Sequence, residues 1–184
     1  MPRSRSRSVV PSVLVALVVA GCGAAPPGPS DPFPSRPADI DIERLDPCAL
    51  LSAEKRAELQ VGAGQAGTAP VGGAMTRACG WLSIRTGYDY SVQFIPQNAA
   101  DAVGAEGAVV DAVEGYGTVQ VVDRVETYPL CEILIDVNEE QLVRVQVQTV
   151  RHSADESPGP GGAACERGRT LAADVVRTAR EQNS

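Results

Sequence analysis

The chain predicts an α+β fold, an antiparallel sheet of four to five strands covered on one face by N- and C-terminal helices and braced by two disulfides. Three observations carry this. Ile133, Ile135 and Val137 alternate with polar residues, Asn138-Glu139-Glu140 turns, and Val143, Val145 and Val147 alternate on the return, with Arg144, Gln146 and Gln148 facing the other way. That period of two belongs to an antiparallel sheet with one covered and one wetter face. Over residues 166–181, Leu171, Val175, Val176 and Ala179 share one helical stripe, and Arg167, Asp174 and Arg177 lie opposite. Finally, Cys48, Cys79, Cys131 and Cys165 are an even set beyond Cys22, as expected of a disulfide framework in an exported chain.

The export expectation comes from the first residues. Arg3, Arg5 and Arg7 precede an apolar run from Val9 to Ala20 that ends in Ala20-Gly21-Cys22. The run is well short of the roughly 20 residues a membrane span needs, and Pro11 interrupts it. Residues 1–21 therefore read as a lipoprotein signal peptide. Small residues at Ala20 and Gly21 admit the processing enzyme, which cleaves between Gly21 and Cys22, and the Cys22 thiol takes a diacylglyceryl group. A simple secretory signal without lipidation is the competing reading. Residues 22–39 hold the prolines of Pro26-Pro27-Gly28-Pro29 and of Pro32 to Pro37. Such a Pro-rich segment favours extended chain, and it reads as a tether.

Residues 40–182 are expected to form a single domain. Asp46-Pro47 is an N-cap followed by proline at the first helical position, and Ser52 can cap a second short helix to Gln60. Residues 62–78, rich in Gly and Ala, read as a loop. Strands follow at 79–84 and at 88–94, where Tyr88, Tyr90, Val92 and Phe94 alternate with Asp89, Ser91 and Gln93. Residues 98–113 suggest a short helix weakened by Gly104 and Gly107, and Gly115-Tyr116-Gly117 turns into a strand at 118–125.

Composition excludes several functions. The full chain carries a formal charge of −7, and loss of Arg3, Arg5 and Arg7 with the signal makes it −10. Nucleic-acid binding needs clustered Lys and Arg, which are absent, so no nucleic-acid partner is expected. The same charge leaves contact with an anionic membrane to the lipid on Cys22, where two or more acyl chains anchor stably. No CxxC occurs and His152 is the only histidine, so no metal and no cofactor are expected. Adjacency of His152 to Ser153 and Asp155 is not a triad, and Glu139-Glu140 and Asp155-Glu156 are solvated loop pairs. Gly115-Tyr116-Gly117 lacks the third glycine of a phosphate loop. Trp81, Tyr88, Tyr90 and Phe94 read as core. Nothing catalytic is expected.

Four cysteines allow three pairings. Cys48 with Cys79 and Cys131 with Cys165 is favoured, because each pair joins a helix start to a strand start across a Gly- or Pro-rich loop. Asp46-Pro47-Cys48-x-Leu50-Leu51-Ser52, then Cys79-Gly80-Trp81, then a late hairpin with two further cysteines, resembles the actinobacterial lipoproteins grouped as domain of unknown function 3558. The likeness spans about residues 40–182. It implies a lipobox, a low-complexity tether and a compact α+β domain, supports pairing of Cys48 with Cys79, and brings no catalytic residues. The expected function is a cell-envelope lipoprotein on the extracytoplasmic face of the cell membrane. Its domain is expected to be a binding or accessory module for an unknown envelope protein, or a carrier of a small apolar ligand between sheet and helices.

Overall fold

A computed structural model of the chain describes residues 31–123, 128–150 and 162–184. Gly21, Cys22, His152 and the pair Asp155-Glu156 lie outside these residues. Among them are seven strands: β1 (Gln65–Val71), β2 (Ala74–Ser83), β3 (Tyr88–Ile95), β4 (Val109–Val113), β5 (Tyr116–Asp123), β6 (Leu130–Asp136) and β7 (Leu142–Thr149). They form one sheet in the order β1-β2-β3-β7-β6-β5-β4, antiparallel at each junction. Two meanders, β1–β3 and β4–β7, thus meet along the β3–β7 seam.

The expected four to five strands undercount this sheet. Residues 62–78, expected as loop, hold β1 and the start of β2. Residues 98–113, expected as a short helix, hold only a 3-10 turn at Ala99–Ala102 and then β4. Both missed strands are sheet edges. Most residues of each are exposed on both faces, so neither leaves the alternation of apolar and polar positions from which a strand is read.

The helices are α1 (Ala53–Leu59) and α2 (Ala163–Gln182). Ser52 caps α1, its hydroxyl oxygen accepting from the Lys55 N–H at 3.1 Å. The Asp46-Pro47 start makes a 3-10 turn, Pro47–Leu50, with the Asp46 carboxylate accepting from the Cys48 N–H at 2.9 Å. The amphipathic stripe of α2 lies against β6 and β7, burying Leu171, Val175, Val176 and Ala179. Gly168 makes the approach close, since a Cβ there would stand 3.2 Å from Ile133 Cδ1.

One sheet face carries the main core: Cys79, Trp81, Tyr90, Val92 and Phe94 beside Ile133, Ile135, Val143, Val145 and Val147. The aromatic residues expected as core are buried there. Both disulfides close as favoured from the sequence, Cys48–Cys79 and Cys131–Cys165, which link the 3-10 turn to β2 and β6 to α2. On the opposite face a second, smaller cluster joins Phe33 and Ala99 to Ile95, Val119 and Leu142. Phe33, within the stretch read as tether, is therefore packed against the sheet. Arg36 in that stretch also pairs with Asp136, and Tyr116 donates its hydroxyl to the Ala38 carbonyl at 2.8 Å.

Candidate functional site

Among the described residues, the second sheet face is covered only toward the end where Phe33 and the 99–102 turn pack. Strand register sets the rest in rows. Leu82, Asp89, Gln148 and Leu130 align across β2, β3, β7 and β6, followed by Gly80, Ser91, Gln146 and Glu132, then Ala78, Gln93, Arg144 and Leu134. The alternation that buries Tyr90, Val92, Val145 and Val147 on one side puts these polar residues on the other.

Hydrogen bonds link the rows laterally. Ser91 donates its hydroxyl to Gln146 Oε1 at 2.9 Å, Gln146 donates Nε2 to Glu132, and Arg144 Nη1 lies 3.4 Å from the same Glu132 oxygen. Arg144 also donates to Gln93, whose amide donates to Thr76 Oγ1. Thr76 in turn donates to the Ala69 carbonyl at 2.9 Å. The ladder crosses β6, β7, β3 and β2 to reach β1, and each member holds its neighbour's rotamer. Among the described residues the buried Arg144 Nε has no hydrogen-bond partner.

At the uncovered end, Asp89, Tyr90, Ser91, Leu130, Gln146 and Gln148 line a shallow open cavity of about 110 Å³. Leu82 in the outermost row is 54 % exposed. Burial raises the Asp89 carboxyl above the ordinary carboxylate value, and the Tyr90 backbone N–H lowers it only in part. No ion pair to Asp89 is present among the described residues. Chemically the cavity offers a half-buried carboxylate, two amides and a hydroxyl, of which Ser91 and Gln146 are held by the ladder.

Of the residues singled out in the sequence, Cys48, Cys79, Cys131 and Cys165 are disulfide-bonded and hold no metal. Glu139 and Glu140 are exposed in the β6–β7 turn. Among the described residues no group of three His, Cys, Asp or Glu is placed to hold a metal ion. Sequence reasoning put Arg144, Gln146 and Gln148 on the wetter face but did not join them to Glu132, Ser91 or Gln93. Only alternation signalled them, and alternation says nothing of lateral register.

Comparison with known proteins places the chain in a family. The family model described as Protein of unknown function (DUF3558) matches residues 17–178. The chain belongs to this family. The match takes in both disulfides, all seven strands and most of α2. No curated protein and no solved structure matches the chain. Family membership therefore comes with a fold-sized match and no assigned activity.

Proposed function

We propose that this chain is a cell-envelope lipoprotein, cleaved after Gly21 and diacylated at Cys22, whose domain is a non-catalytic binding or accessory module on the extracytoplasmic face of the membrane. Support for the address comes from the Ala20-Gly21-Cys22 triplet behind an apolar run, and from two disulfides, which persist in oxidising compartments.

The observation that carries the binding role is the part of the second sheet face that no described residue covers. A patch that sets a pre-organised polar ladder beside the exposed Leu82 has the composition of a partner surface, apolar contact framed by polar groups. The ladder side chains engage one another, and that suits recognition better than proton transfer. The carrier reading finds no favouring observation, since α2 seats directly on Ile133 and Val147 at Gly168.

Two measurements test the proposal. Cys22→Ala should shift the protein from the membrane to the soluble fraction and remove the acyl mass. A photocrosslinker placed at Leu82 should trap one recurrent envelope partner, and Asp89→Arg with Gln148→Arg should abolish the adduct. Unchanged membrane retention in Cys22→Ala defeats the anchor, and adducts indifferent to the double substitution defeat the surface.

A further inference from the structure

The β1 edge offers an interaction of a different kind. Val71 and Ala74 close the β1–β2 hairpin around Gly72-Gly73, whose φ values of +56° and +86° give the two-residue turn that only glycine adopts readily at both positions. In such a hairpin the closing pair exchanges both backbone bonds. Val71, Ala69, Gly67 and Gln65 therefore turn their N–H and C=O groups toward β2. The Ala69 carbonyl agrees, pointing back into the sheet to accept from Thr76 Oγ1 at 2.9 Å and Gln93 Nε2 at 3.2 Å. Ala66, Thr68 and Pro70 must then face outward, and no strand pairs with them among the described residues.

Proline lacks an N–H, so this outward edge offers donors at Ala66 and Thr68 and acceptors at all three positions. Such a set is self-complementary. In an antiparallel pairing centred on Thr68, the two Thr68 residues exchange both bonds, and each Ala66 N–H reaches the Pro70 carbonyl of the other copy. Four bonds form, and the missing proline donors leave only the two Ala66 carbonyls to water.

Charge points to the same occupant. Residues 60–76 contain no Asp, Glu, Lys or Arg, in a chain that is 21 % charged. Exposed edges are ordinarily guarded by charge. The opposite edge is so guarded: Asp111 within β4 and Glu114 just after it lie 4.0 and 2.9 Å from Arg169 and Arg177 of α2. A chain of net charge −7 repels its own copy over most of its surface. Along β1 it does not, and Ala66, Gly67, Thr68 and Ala69 are too small to hold a second strand away.

We propose that β1 is a homotypic docking edge, where two copies of this chain pair their β1 strands about a two-fold axis through Thr68 and continue the sheet across the interface. The contact is isologous, and a single strand pair is small beside the roughly 1,200 Å² of stable interfaces. The dimer is therefore expected to depend on concentration.

Disulfide trapping in the cells that make the protein tests this. Thr68→Cys in the full chain should give an oxidant-dependent, reducible dimer at least tenfold more abundant than Val110→Cys on the β4 edge. Adding Ala66→Lys should cut that dimer at least fivefold, while circular dichroism of the purified variant shows the fold unchanged. Equal trapping at both edges, no trapping at Thr68→Cys, or trapping indifferent to Ala66→Lys in a folded variant overturns the proposal.

Discussion

Arg36 and Asp136 stand 100 residues apart in sequence and meet through a 2.6 Å ion pair, with the Asp136 side chain 3 % exposed. Burial raises the Asp136 carboxyl above the ordinary range, and the hydrogen bond and charge of Arg36 pull it back only in part. The pair fastens the segment before Ile40 to the end of β6. Arg36→Ala strands a buried carboxylate, and a loss of about 3 kcal/mol is expected from such a break. Urea unfolding of Arg36→Ala beside Arg36→Ala/Asp136→Asn measures it, the double variant recovering part of the loss.

Each disulfide closes a loop of similar length, with sequence separations of 31 and 34. In the chain-entropy description each contributes about 4 kcal/mol by restricting the unfolded chain. Replacing Cys131 and Cys165 together by Ala should lower the denaturant midpoint and steepen the slope, because the unfolded chain freed of the cross-link expands and exposes more surface. The Cys48 and Cys79 pair should behave alike. Reductant should reproduce both losses in the parent chain.

Asp89 predicts a dependence on pH. A carboxyl raised by burial binds its proton more tightly in the folded chain than in the unfolded one. Its contribution is most favourable below the ordinary value of 3.8 and falls as pH rises through the raised, folded value. Asp89→Asn should therefore raise the melting temperature at neutral pH. The gain should vanish near pH 3, at about which the parent carboxyl is protonated in both states. Thermal unfolding at the two pH values decides it.

Gly64 lies against the Cys48–Cys79 bridge. A Cβ there would stand 2.3 Å from Cys79 Sγ and 2.6 Å from Trp81 Nε1, neither of which can yield, since one is cross-linked and the other belongs to a rigid buried ring. Gly64→Ala should cost about 2 kcal/mol through overpacking, with a change in Trp81 fluorescence. Gly62→Ala, with open space around its Cβ position, is the control and should be near neutral.

Legibility in the sequence followed burial. Strands β3, β6 and β7 are central, and their alternating apolar residues mark them in the chain itself. The edges β1 and β4 are strands because β2 and β5 offer them hydrogen-bonding partners, and no pattern of their own records it. The candidate surface divides the same way: alternation placed Arg144, Gln146 and Gln148 on the wetter side, and register then brought Glu132, Ser91 and Gln93 beside them.

Local chemistry in the chain determined the capping at Asp46 and Ser52, the amphipathic stripe of α2, the central alternation and the favoured cysteine pairing, because each depends on neighbours close in sequence or on loop closure. The tertiary structure alone decided the seven-strand order, the packing of Phe33, the Arg36–Asp136 clasp and the lateral ladder from Ser91 to Thr76. Those contacts join residues far apart in sequence, and their energies arise only once the strands stand side by side.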